Sequence, residues 1–200
     1  AFAALKNDGS VVTWGYANSG GDSSSVELEN VKTISSTNGS FAALKNDNTV
    51  VTWGAYYTGS DSYNVDLEDV IEIYSNTSAF AALKNDNSVV TWGDPIRGGD
   101  SSTVTLENVV TIVSATFSFA ALKNDGTVDT WGAAEWDSDV GGDSSYVTLE
   151  DVKAIYSTSS AFSALKNDGA VVTWGDSYNG GDRSSVNLEN VKRIFSTSCV

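Results

Sequence analysis

The chain contains no histidine, no methionine, one proline and one cysteine, Cys199, in 200 residues. Each absence removes a class of function. Without histidine, neither a Ser-His-Asp nor a Cys-His arrangement can be assembled, and zinc sites built from histidine and cysteine go with them. A lone cysteine permits no internal disulfide; beside the C-terminus it reads either as a site of intermolecular pairing or as a terminal thiol with no role. Positive charge is scarce as well: 11 Lys and Arg face 26 Asp and Glu, a formal net charge of −15. Nucleic acids and anionic membranes are bound through clustered cations, so neither is an expected partner. No stretch approaches the roughly 18 apolar residues of a membrane span, so membrane insertion is not expected. Ala1 opens inside a repeated motif, and the chain reads as a mature or excised segment.

What is present is one unit written five times. Copies begin at Phe2, Phe41, Phe80, Phe119 and Phe162 and reach their tryptophans at Trp14, Trp53, Trp92, Trp131 and Trp174. The period is about 39 residues, lengthened by four in the fourth copy. A fixed period of this size indicates a repeat architecture. We take residues 1–200 as one repeat domain with units 1–40, 41–79, 80–118, 119–161 and 162–200.

Each unit opens with a short strand, Phe-Ala-Ala-Leu-Lys or, once, Phe162-Ser163-Ala164-Leu165-Lys166. An Asn-Asp-Gly or Asn-Asp-Asn turn follows, then a β-branched return strand ending in Trp-Gly. The third turn position holds only Gly or Asn, the residues that tolerate positive φ, so the pair reads as a hairpin. Apolar residues do not alternate along these strands, which implies that both sheet faces are covered. The repeated tryptophans, Trp14, Trp53, Trp92, Trp131 and Trp174, are assigned to the structural core on the same ground. A further strand is expected around Ile34, Ile73, Ile112, Ile155 and Ile194. Ala1 begins without such a strand before it, and Val191 to Ser198 supplies one without a partner. The two deficits are complementary, and pairing the ends would remove exposed sheet edges.

The string Ala-Leu-Lys-Asn-Asp-Gly-x-Val-x-x-Trp-Gly, with Val-x-x-Ile downstream, resembles the repeat of the regulator-of-chromosome-condensation family over all five units. The resemblance implies a β-propeller, most familiarly seven-bladed. The short repeat is more similar to the secreted bacterial members, one of which inhibits β-lactamases. The chain departs in having five units, in carrying Gly-Gly-Asp-Ser where Gln-Leu-Gly is common, and in its acidity. The expectation is therefore an all-β, five-bladed propeller whose ring is closed by the C-terminal strand pairing with the N-terminal blade, with a β-solenoid or an open head-to-tail array as alternatives. The nucleotide-exchange and chromatin roles of eukaryotic members are not carried over.

Function is expected where the repeats disagree. The loops after Trp-Gly hold Tyr16, Tyr56, Tyr57, Ile96, Arg97, Trp136 and Tyr178, a composition suited to binding on a rigid frame. Asn38 and Asn76 begin N-glycosylation sequons. The Gly-Gly-Asp-Ser turns offer oxygen ligands of the kind calcium takes, without EF-hand spacing; no other cofactor is expected. The reading is a non-enzymatic, extracellular or cell-surface module that engages a protein or glycan. Its alternative is a structural subunit that self-associates head to tail into a filament or array, with Cys199 available between molecules.

Overall fold

All five hairpins close through a turn whose last residue is left-handed: Gly9 (φ 81°), Asn48 (67°), Asn87 (65°), Gly126 (82°) and Gly169 (86°). Other side chains would crowd the following carbonyl there, which explains the restriction to Gly and Asn. These turns set the architecture in the computed structural model, which describes residues 1–133 and 141–197.

Blade 1 is a two-stranded hairpin, β1 (Phe2–Leu5) and β2 (Val11–Trp14). Blade 2 has three antiparallel strands, β3 (Val31–Ser36), β4 (Ser40–Lys45) and β5 (Val50–Gly54). Blade 3 repeats them as β6 (Val70–Ser75), β7 (Ala79–Lys84) and β8 (Val89–Gly93), and blade 4 as β9 (Val109–Ser114), β10 (Ser118–Lys123) and β11 (Val128–Gly132). Blade 5 comprises β12 (Val152–Ser157), β13 (Ala161–Lys166) and β14 (Val171–Gly175). In every three-stranded blade the Phe-Ala-Ala-Leu strand is central, and its first partner is the strand that ends the preceding repeat. Blades are thus offset from the sequence units. The register recurs too: Phe41 opposes Ser36 and Ala43 opposes Ile34, with a bulge between Val31 and Thr33 that returns between Val70 and Glu72 and between Val152 and Ala154.

Residues 191–197 form no strand, and β1 pairs with β2 alone among the described residues. In blades 2 to 5 a strand of this kind forms on the hairpin of the repeat that follows it.

The chain divides into two compact units, Ala1–Asp100 and Ser101–Val200. In the first, blades 1 to 3 pack in succession. Leu28, Val31, Ala43 and Trp53 cluster with Ala3 and Val11 of blade 1, and Ala42 and Leu44 of blade 2 join Val70, Ile73, Phe80, Ala82 and Trp92 of blade 3. In the second, Ala120 and Leu122 of blade 4 pack with Val152, Ile155, Phe162 and Trp174 of blade 5. Both neighbours in each central Ala-Ala pair of blades 2 to 4 are fully buried, which is why the strand does not alternate: small side chains on both faces let adjoining sheets approach closely.

One contact joins the blades repeatedly. Trp53 Nε1 donates to Gly20 O (3.1 Å), Trp92 Nε1 to Gly59 O (3.0 Å) and Trp174 Nε1 to Gly141 O (3.2 Å). Each indole stacks on the phenylalanine opposite it in its own hairpin, at 5.1 Å for Phe80 and Trp92, and the buried N–H is satisfied by the preceding repeat. Trp53, Trp92, Trp131 and Trp174 are buried accordingly. Trp14 departs from the core assignment. It is 50% exposed, and its stacking partner Phe2 is 64% exposed.

Candidate functional site

The loops after Trp-Gly are shaped by short 3-10 turns, at Ala17–Ser19, Tyr56–Thr58, Pro95–Arg97 and Ser177–Asn179. A left-handed glycine ends each: Gly20, Gly59, Gly98 and Gly180. Asp94 and Asp176 cap two of them, their Oδ1 atoms accepting from Ile96 N (3.0 Å) and Tyr178 N (2.7 Å). A side chain from the turn before the central strand pins three of the four loops. Thr37 Oγ1 donates to Thr58 O (3.0 Å), Asn76 Nδ2 to Arg97 O (2.7 Å) and Thr158 Oγ1 to Asn179 O (3.0 Å). These are loops held at both ends and tied in the middle.

The side chains they carry point outward. Tyr16, Tyr56, Tyr57, Ile96 and Tyr178 are all exposed, Tyr178 to 96%. Tyr56 and Tyr57 meet edge to face at 5.2 Å. The neighbouring Asp61 carboxylate raises the Tyr56 hydroxyl above its ordinary value. Arg97 pairs with Asp94 at 3.1 Å, so its charge is partly taken up within its own loop. Tyr16, the Tyr56-Tyr57 pair and Ile96 stand at equivalent ends of three adjoining blades in the first unit. Trp136 and Cys199 lie outside the described residues.

Two exposed aromatics were missed in the sequence. Tyr63 and Tyr146 follow the Gly-Ser-Asp and Gly-Gly-Asp turns, at positions where the other repeats have Ser, Thr or, once, Asn64. The rule that found the loops, disagreement between repeats, finds these residues when applied to the next segment. Beside the first loop lies an open polar cleft lined by Asn18, Asp22, Ser24, Thr52 and Ser60.

Asn76 is corrected as a glycosylation site. It is 8% exposed, its Nδ2 is spent on Arg97 O, and its Oδ1 accepts from Ser78 N and Ala79 N, both at 2.8 Å. The residue staples the loop that Thr37 and Thr158 staple elsewhere. Asn38 is exposed.

The repeated aspartates are turn residues. Asp22, Asp143 and Asp182 accept from backbone N–H groups two residues on, at 2.7–2.9 Å, and those bonds hold their carboxyls below the ordinary value. Among the described residues no three carboxylates, histidines or cysteines gather as a metal would require. In the hairpin turns Asp8, Asp47 and Asp86 are lowered first by the hydroxyl and then by the N–H of Ser10, Thr49 and Ser88, and Asp125 by the N–H and then the hydroxyl of Thr127. A depressed carboxylate contributes stability that is whole above its ordinary value of 3.8 and is lost as pH falls through the lower folded value. The thermal midpoint should therefore fall more steeply below about pH 3.8 in this chain than in one carrying Ser10→Ala, Thr49→Val, Ser88→Ala and Thr127→Val. Parallel profiles in the two proteins would show that the turn carboxylates carry none of the acid sensitivity.

Antiparallel blades in series, blades 2 to 5 each completed by a strand from the repeat before it, define a β-propeller fold. No protein family and no curated protein matches the chain. Among solved structures it is similar to the ectodomain of the Physcomitrella patens receptor kinase CR4 (13% identity, TM-score 0.62, covering 92% of this chain and 52% of that one). It is also similar to yeast RCC1 (Prp20) in its structure with Kap60 (17%, 0.53, 80% and 48%) and to Prp20p of Saccharomyces cerevisiae (16%, 0.52, 83% and 50%). The chain spans about half the length of these structures. At such identities the likeness establishes the fold alone. No helix among the described residues is long and apolar enough to cross a membrane.

Proposed function

We propose that this chain is a non-enzymatic protein-binding module of the extracellular space or cell surface, engaging its partner through the variable loops that follow Trp-Gly. The observation that carries this reading is the exposure of Tyr16, Tyr56, Tyr57, Ile96 and Tyr178 on short loops ended by left-handed glycines, those of Tyr56, Tyr57, Ile96 and Tyr178 also pinned to the blades. Loops whose backbone is already tied lose little freedom on binding, and tyrosine is prominent among residues that dominate interface energies. Structural relatives support the reading by analogy: Kap60 is bound to yeast RCC1, and Prp20p has binding properties toward Gsp1p and histones. The net charge of −15 disfavours an acidic partner and favours a basic one.

The test compares the chain with its Tyr16→Ser, Tyr56→Ser, Tyr57→Ser, Ile96→Ser variant. All four side chains are exposed, so melting should be unchanged within about 1 kcal/mol. Both are immobilised and used to capture proteins from extracellular extract, identified by mass spectrometry, and both are applied to a glycan array. Proteins held by the parent and lost by the variant support the proposal. Identical captures overturn it, and binding confined to the glycan array replaces the protein partner by a carbohydrate one, for which the polar cleft of Asn18, Asp22 and Thr52 is the nearest seat.

A further inference from the structure

The seam between blades 4 and 5 is bridged by a contact whose counterpart is open between blades 1 and 2. The Tyr146 hydroxyl accepts from Gly175 N at 2.9 Å. That N–H is free to be met from outside because β14 is an edge strand. Asp176 N donates to Ser160 O, just before β13, and successive residues of an antiparallel strand face opposite ways, so Gly175 N points off the sheet. A strand edge is a row of such donors and acceptors, and here a side-chain oxygen meets one of them.

Gly54 holds the same place in blade 2. Ala55 N donates to Gly39 O (2.8 Å), which turns Gly54 N off the edge of β5. The two seams match in their other bonds. Trp53 Nε1 donates to Gly20 O at 3.1 Å and Trp174 Nε1 to Gly141 O at 3.2 Å, while Ser24 N reaches Asp22 Oδ1 at 2.9 Å and Ser145 N reaches Asp143 Oδ1 at 2.8 Å. Tyr146 precedes Gly175 by 29 residues, and the residue that precedes Gly54 by 29 is Ser25. Serine lacks the ring that carries the tyrosine oxygen across the seam. Among the described residues no side chain bonds to Gly54 N.

The result is an open cleft of about 350 Å³, walled by Asn18, Asp22 and Ser24 on one side and by Thr52, Gly54 and Ser60 on the other. Thr52 Oγ1 donates to Ser60 O (2.8 Å), so that wall is fixed. Small-ligand sites span about 300–1,000 Å³. An aromatic or aliphatic occupant would cover these polar groups without bonding them, which is costly, whereas a ligand carrying several hydroxyls can satisfy donors and acceptors alike. The Asp22 carboxylate, in a chain of net charge −15, turns away anions.

We infer that this cleft binds a neutral saccharide, one hydroxyl of which accepts from Gly54 N as the Tyr146 hydroxyl accepts from Gly175 N, with Asn18 and Asp22 bonding the neighbouring hydroxyls. The site goes beyond the loop-binding proposal and contains none of the exposed side chains on which that proposal rests. It holds whether or not the loops engage a protein.

Amide NMR of the isotope-labelled chain tests this during titration with a panel of neutral disaccharides of the gluco, galacto and manno series. The Gly54 resonance should shift and saturate with at least one sugar, while that of Gly175, already bonded to Tyr146, should stay in place. Uronic-acid disaccharides should move neither. Ser25→Tyr copies the other seam, so it should shift the Gly54 resonance without ligand, melt no lower than the parent and weaken sugar binding about tenfold or more. Asn18→Ala, at an exposed position, removes one partner without filling the cleft and should weaken binding severalfold. A Gly54 resonance that no sugar of the panel moves overturns the proposal, as does sugar binding that either substitution leaves undiminished. A shift produced by N-acetyltyrosinamide and by none of the sugars also overturns it, and gives the cleft to a tyrosine of a protein partner. Protein capture is read on the parent and on Ser25→Tyr and should be equal, so the failure of either proposal leaves the other standing.

Discussion

Trp92→Ala is expected to destabilise the fold by about 3–5 kcal/mol, measured by chemical denaturation at protein concentrations low enough to keep the chain dispersed. The indole is 3% exposed, stacks on Phe80, and closes the seam between blades 2 and 3 by donating to Gly59 O. Truncation opens a cavity in a cluster that includes Ala42, Leu44, Val70 and Ile73, none of which can collapse far because they belong to paired strands. It also leaves the Gly59 carbonyl without its indole donor. Trp14→Ala, the same change in the same motif, should cost no more than about half as much, since half of that ring is already in water and no neighbouring carbonyl is lost. Equal losses at the two positions would mean that the seam adds nothing beyond the stacking of Trp on Phe within one hairpin.

That contrast marks the boundary of what could be read from the sequence. The hairpin was legible because its signals are local: a Gly-or-Asn third turn position, β-branched return strands, and an unalternating apolar strand that demands cover on both faces. The same residues in the first copy look identical on paper and behave differently, because burial of Phe2 and Trp14 depends on a neighbour and not on their own sequence.

The loops were legible as places of variation and not as structures. That they are 3-10 turns closed by left-handed glycines follows from the constant Gly20, Gly59, Gly98 and Gly180, whose role was obscured by the Gly-Gly-Asp-Ser string being read as one turn. Asn76 shows the opposite error. A sequon is a triplet, whereas the position repeats Thr37 and Thr158, and comparison at the repeat spacing identifies a residue that bonds backward to its own turn and upward to the loop. In a repeat protein, the equivalent residues of the other copies are a better guide to a side chain's work than its nearest neighbours in the chain.

Gly59 and Gly180 turn this reasoning into a measurement. Both are left-handed, at φ 110° and 108°, so an alanine at either meets the same backbone resistance, about 1–2 kcal/mol. At Gly180 that is the whole cost, because the added methyl meets nothing within 4 Å. At Gly59 the methyl would lie 2.6 Å from Phe80 Cδ2 and 2.7 Å from Cε2, and Phe80 is fully buried beneath Trp92 with no direction in which to yield. Forcing the seam apart should add about 1–3 kcal/mol, for a total near 2–5 kcal/mol. The Trp92 Nε1 bond to Gly59 O lengthens with it, so the emission of Trp92 should shift in Gly59→Ala and not in Gly180→Ala. Equal destabilisation by the two substitutions, with no change in tryptophan emission, would falsify the idea that glycine is required here as the floor of a phenylalanine seat and not merely as a turn residue.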